Sequence, residues 1–92
     1  MTEEHLMRIT EAFFNQERRG MGWEPMAKST REQWIRMVRA VVIELDKGTP
    51  LEEVNRVGWT NYNDNPNYRT GEWDRCVEFT IAEYLLTPRD KP

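Results

Sequence analysis

An all-α fold follows from two features of this chain. Its apolar residues recur at intervals of three and four, and helix-start and helix-stop residues bound each such stretch. A third feature, a pattern that occurs twice, arranges the helices as two hairpins. Gly22-Trp23 and Gly58-Trp59 each open a polar stretch. Thr30-Arg31-Glu32-Gln33-Trp34 and Thr70-Gly71-Glu72-Trp73 close it, and an apolar helix with Met37-Val38 or Cys76-Val77 continues from there. All 4 tryptophans fall in this pattern, so the indoles serve the architecture first, each large aromatic ring burying ~150–250 Å². The expected fold is a compact four-helix domain over residues 1–92, made of hairpins 1–46 and 49–86 with the tryptophans near the centre.

The first helix is predicted over residues 3–19. Thr2 caps it, Glu3 and Glu4 suit its positive end, and Leu6, Ile9 and Phe13 form an apolar stripe flanked by Met7 and Phe14. Arg18 and Arg19 suit the negative end, and Gly20 terminates it. In the connector, Trp23 and Met26 have the spacing of one helical turn with both side chains tucked under the helices. Ser29 and Glu32 read as a capping box for a second helix over 30–46. There Trp34, Val38, Val41 and Leu45 share a buried face, and Arg36, Arg39 and Glu44 fall opposite; Lys47-Gly48 ends it.

Thr49-Pro50-Leu51-Glu52 starts a short third helix, with Leu51, Val54 and Val57 on its apolar face and Gly58 as its stop. Residues 59–70 then read as a loop, because four asparagines, an aspartate and a proline favour turns. A loop of that length is often functional. The last helix spans 71–86. Trp73, Val77 and Tyr84 share a face, while Phe79, Ile81, Leu85 and Leu86 spread around the cylinder. That distribution predicts a central helix with one flank, bearing Phe79, Leu86 or both, used in a homodimer.

Composition limits function. The 92 residues are 38% hydrophobic and 32% charged, a globular composition, and a net charge of −3 gives no bulk attraction for duplex DNA. No apolar run approaches the ~18 residues of a membrane span. The N-terminal Met-Thr-Glu-Glu-His is unlike a secretory signal, and a single cysteine, Cys76, fits a reducing compartment, so a cytoplasmic location is expected. One His and one Cys make neither a metal site nor a convincing nucleophile–base pair. Asn61, Asn63, Asn65, Asn67 and Glu72 mimic the spacing of a calcium loop. Pro66 stands where that loop needs glycine, however, and the first, third and fifth positions carry no charge. The expectation is a protein without enzymatic activity, cofactor or metal.

Two surfaces remain. Tyr62, Tyr68 and Arg69 combine residue types enriched at interface centres, and they form the predicted partner-binding site. Alternatively Arg31, Arg36 and Arg39, helped by Arg18, Arg19 and Lys28, form a face for a nucleotide or single strand, with tyrosines for stacking. Trp23-Glu24-Pro25-Met26 followed by Thr30 to Ala40, with Arg31, Trp34 and Arg39-Ala40 in place, resembles a segment of many small bacteriophage-encoded helical accessory proteins. The resemblance covers about twenty residues of amphipathic helix and its approach, and no functional residue carries over from it. It implies a phage or prophage product that inhibits or modulates a host protein or defence complex, as anti-CRISPR proteins do.

Overall fold

A computed structural model describes residues 2–20, 22–23, 26–62 and 71–86. Four helices run α1 (Glu3–Glu17), α2 (Lys28–Asp46), α3 (Leu51–Tyr62) and α4 (Gly71–Leu86), and no strand occurs among the described residues. The domain is all-α. α2 and α4 pack on each other and each touches both α1 and α3, which do not touch one another. The shortest dimension is 19 Å, the thickness of about two helices.

The ends of α1 follow the sequence. Thr2 accepts a hydrogen bond from the His5 backbone N at 3.2 Å, and Gly20 takes a left-handed φ of 82° just beyond the helix. Gly48 does the same after α2 at φ 83°. The start of α2 differs from expectation. It begins at Lys28 after Ala27 with no side-chain cap, so Ser29 lies inside the helix and Glu32 turns to Lys28 at 4.0 Å. The connector does form the expected turn: the Met26 N–H donates to the Trp23 carbonyl at 3.2 Å, with Trp23 buried.

Two expectations about the interior need correction. The helix buried over the broadest arc is α2, not α4. Besides Trp34, Val38, Val41 and Leu45, it buries Met37, Ala40, Val42 and Glu44, because α1, α3 and α4 all lie against it. Glu44, expected outside, is only 2% exposed. In α4 the buried set is the single stripe Trp73, Cys76, Val77 and Thr80. Phe79 is half-buried against Phe13, with ring centres 5.6 Å apart, and Leu85 and Leu86 stay 57% and 77% exposed.

The aromatic residues gather in two clusters. Phe14 meets Trp34 and Trp23 edge-on at 5.2 and 5.4 Å, and Phe13 joins Trp34 at 5.5 Å. On the other side Trp59, Trp73 and Tyr62 form a second group, with centres 5.5–5.8 Å apart. The ends of α1 and α4 are tied at the surface. Arg75 Nε donates to both Glu17 carboxylate oxygens at 2.8 and 3.1 Å, and that hydrogen bond raises the Arg75 pKa above its ordinary value.

The sequence places a stop at Gly58, yet α3 runs through it to Tyr62. Gly58 is buried, and a Cβ there would stand 3.2 Å from Trp73 Cζ2 and 3.5 Å from the Ala40 carbonyl. The glycine is therefore a point of close approach between helices rather than a terminator. Gly58→Ala tests this. Alanine favours a helix interior over glycine by ~1 kcal/mol, whereas overpacking against an indole that is fully buried costs ~1–3 kcal/mol. The expected outcome of a denaturant titration is net destabilisation, and a variant as stable as the parent would show that Trp73 moves aside freely.

Candidate functional site

The site begins with how α3 carries Tyr62. Val54, Gly58 and Tyr62 recur every four residues, which keeps them on one face of α3. Val54 and Trp59 are buried, and the glycine lets the helix settle onto Trp73. Trp73 is itself fixed, because its Nε1–H donates to the Asn55 carbonyl at 3.2 Å and to Asn55 Oδ1 at 3.1 Å. The Asn55 amide in turn donates to Asp74 at 2.9 Å. Tyr62 stacks on this held indole, with planes 12° apart and centres 5.5 Å apart. It remains half-buried, and the Arg36 guanidinium carbon lies over its ring at 5.5 Å from the centre.

A buried carboxylate sets the position of Tyr62's helix. Glu44 accepts hydrogen bonds from Thr49 Oγ1 at 2.9 Å, Asn61 Nδ2 at 2.8 Å and Lys47 Nζ at 3.2 Å. Thr49 precedes α3 and Asn61 lies in its last turn, so one acid holds both ends of the helix. Three donors, two of them neutral and one cationic, are what a buried carboxylate needs in place of water. Both carboxylate oxygens are engaged, Oε1 by Thr49 and Oε2 by Lys47 and Asn61, and the arrangement positions Tyr62.

The structure thus joins two surfaces that sequence reasoning kept apart: Tyr62, from the predicted partner site, and Arg36, from the alternative basic face, are in contact. Tyr62 sits in a helix and not in a loop. Tyr68 and Arg69 lie outside the described residues, as does most of the Asn-rich segment. The three arginines of the alternative face are not equivalent. Arg39 is held by Glu3, donating to its two oxygens at 3.2 and 3.0 Å, whereas Arg31 is half-buried and has no carboxylate partner among the described residues. Glu44 and Asn61 were missed as positioning residues. The available signal was the interval of four that continues from Val54 past Gly58.

The reactive groups are placed as follows. Cys76 is buried, and burial pushes its thiol up to about 12 from an ordinary 9.0, only partly offset by its hydrogen bond with Thr80. His5 stands in the first turn of α1, while the neighbour of Cys76, Arg75, binds Glu17 at the other end of that helix. Those ends are ~18 Å apart at 1.5 Å per residue, so the pair cannot act together. Among the described residues no three His, Cys, Asp or Glu side chains converge as a metal site, and no helix is long and apolar enough to cross a membrane. Comparison with protein-family models, with curated proteins and with solved structures finds no match to this chain.

The Cys76 thiol generates a pH prediction. The unfolded chain loses that proton near pH 9 and the folded chain only near 12. Its contribution to stability is therefore complete below about pH 9 and falls as pH rises from there, by at most ~1.4 kcal/mol per unit. The parent should lose stability faster than Cys76→Ala between pH 9 and 11 in paired denaturant titrations, and the folded parent should resist a thiol-reactive dye. Parallel pH profiles would contradict the burial of the thiol.

Proposed function

We propose that this chain acts by binding another protein without chemistry of its own, as a phage-encoded inhibitor or modulator of a host protein or defence complex would. The observation that carries the reading is Tyr62, stacked on Trp73 and bearing Arg36, at the point where α3 leads into the segment with Tyr68 and Arg69. Tyrosine and arginine dominate the energetics of protein interfaces, and a ring already held by packing loses little entropy on binding. The nucleotide or nucleic-acid alternative draws on Arg31, Arg36 and Arg39, and the commitment of Arg39 to Glu3 weakens it.

Because Arg36 belongs to both readings, the discriminating residues are the others. The tagged chain is used to capture its partner from a bacterial lysate with and without nuclease. Replacing Tyr68 and Arg69 with alanine, together with Tyr62→Ala, should weaken capture of a protein that survives nuclease by at least ~tenfold, or ~1.4 kcal/mol. Arg31→Ala with Arg39→Ala should leave it unchanged. Loss of the captured species on nuclease treatment, or sensitivity to the arginine pair alone, would favour the alternative. Since Tyr62 is half-buried, the melting temperature of its variant is measured alongside.

A second copy of the chain is a further partner in this reading, meeting the first through the exposed Leu85 and Leu86 at the end of α4. Sedimentation at micromolar concentration should then give a dimer that Leu86→Glu disperses, because an interface of ordinary size holds at that concentration. A clean monomer of the parent chain removes the dimer from the proposal.

A further inference from the structure

Resting on the protein-binding reading above, the geometry points to the chemistry of the partner: we propose that Arg36, presented on the Tyr62 ring, receives an aspartate or glutamate carboxylate from an acidic segment of the bound protein. Arg8, Arg18, Arg39, Arg56 and Arg75 each hold a carboxylate of this chain. Arg36 has an acid at the right helical spacing, Glu32 four residues earlier, yet Glu32 leans to Lys28 at 4.0 Å and Arg36 lies over Tyr62 instead. A ring satisfies the charge of a guanidinium and leaves its N–H donors unspent. Arg36 is exposed, and none of those donors meets an acceptor among the described residues. Among the described residues Arg19 and Arg31 also lack a carboxylate, but neither rests on an aromatic ring that orders it.

The same features select a carboxylate on a protein over a nucleic-acid strand. A strand is held by several phosphate contacts along a track and by bases stacked on open rings. Here the neighbouring Arg39 is taken by Glu3, and Tyr62 is engaged by both Trp73 and Arg36. What remains among the described residues is one ordered fork of donors, in a chain of net charge −3. That fits a single planar carboxylate, which a guanidinium binds through two parallel hydrogen bonds, and it disfavours a long polyanion.

The test is an NMR titration of the full isotope-labelled chain, following the Arg36 Nε–Hε and Tyr62 ring resonances. The probes are a glutamate-rich peptide, the same peptide with glutamine throughout, and oligothymidylate. The glutamate peptide should shift both signals saturably, and added salt should weaken it. Arg36→Gln should weaken it by about tenfold with Arg36→Lys between the two, both variants melting like the parent. Equal shifts from the glutamine peptide would overturn the acidic preference while leaving a protein-binding surface in place. Stronger shifts from oligothymidylate would overturn this inference and the protein-binding reading together. No shift from the glutamate peptide would overturn the inference alone, since the capture experiment on Tyr68 and Arg69 does not depend on it.

Discussion

The arrangement of this small domain depends on one close contact, the approach of Gly58 in α3 to the indole of Trp73. Because no side chain intervenes, α3 lies directly on an indole of α4 while its other neighbour, the Ala40 carbonyl of α2, is also within reach. Three helices therefore converge at a point where a single methyl group would crowd them. Trp59 and Tyr62, one and four residues later, are carried into contact with the same indole. The second aromatic cluster is a consequence of that glycine as much as of the aromatic residues themselves.

The buried acid of α2 complements this contact. A carboxylate near the negative end of a helix and out of water is unfavourable on both counts, and an apolar residue of similar size would be easier to accommodate. Glu44 is tolerated because Lys47, Thr49 and Asn61 supply it with donors. What the fold gains is a set of directional hydrogen bonds that tie both ends of α3 to one point of α2. On the cationic face of the same helix Arg39 is drawn to Glu3 and Arg36 to Tyr62, which breaks up the basic surface.

The helices themselves were legible in the sequence because local signals dominate their ends. Thr2, Gly20 and Gly48 act through their own backbone angles and immediate neighbours, and so they sit where their chemistry suggests. The burial of Trp34 and the turn at Trp23 follow equally from spacing. Two failures share a different cause. Gly58 matches a stop and Glu44 an exposed position, and in both cases contacts from distant segments decide the outcome, whereas at Ser29 and Glu32 the helix simply starts two residues earlier and Glu32 pairs with Lys28. The candidate site was half legible for the same reason. Tyr62 and Arg36 could be picked by residue type, but their contact spans two helices and depends on α3 continuing past a glycine that reads as its end.

The shared carboxylate has a consequence for how α3 comes apart. A helix of 12 residues would ordinarily loosen from its termini inward, one turn at a time, since its end turns are the least constrained. Here Thr49 before the first turn and Asn61 in the last are fastened to the same acid. Neither end can open without disturbing the anchorage of the other. Both ends of α3 thus hang on one group, and Tyr62, in its last turn, shares that anchorage.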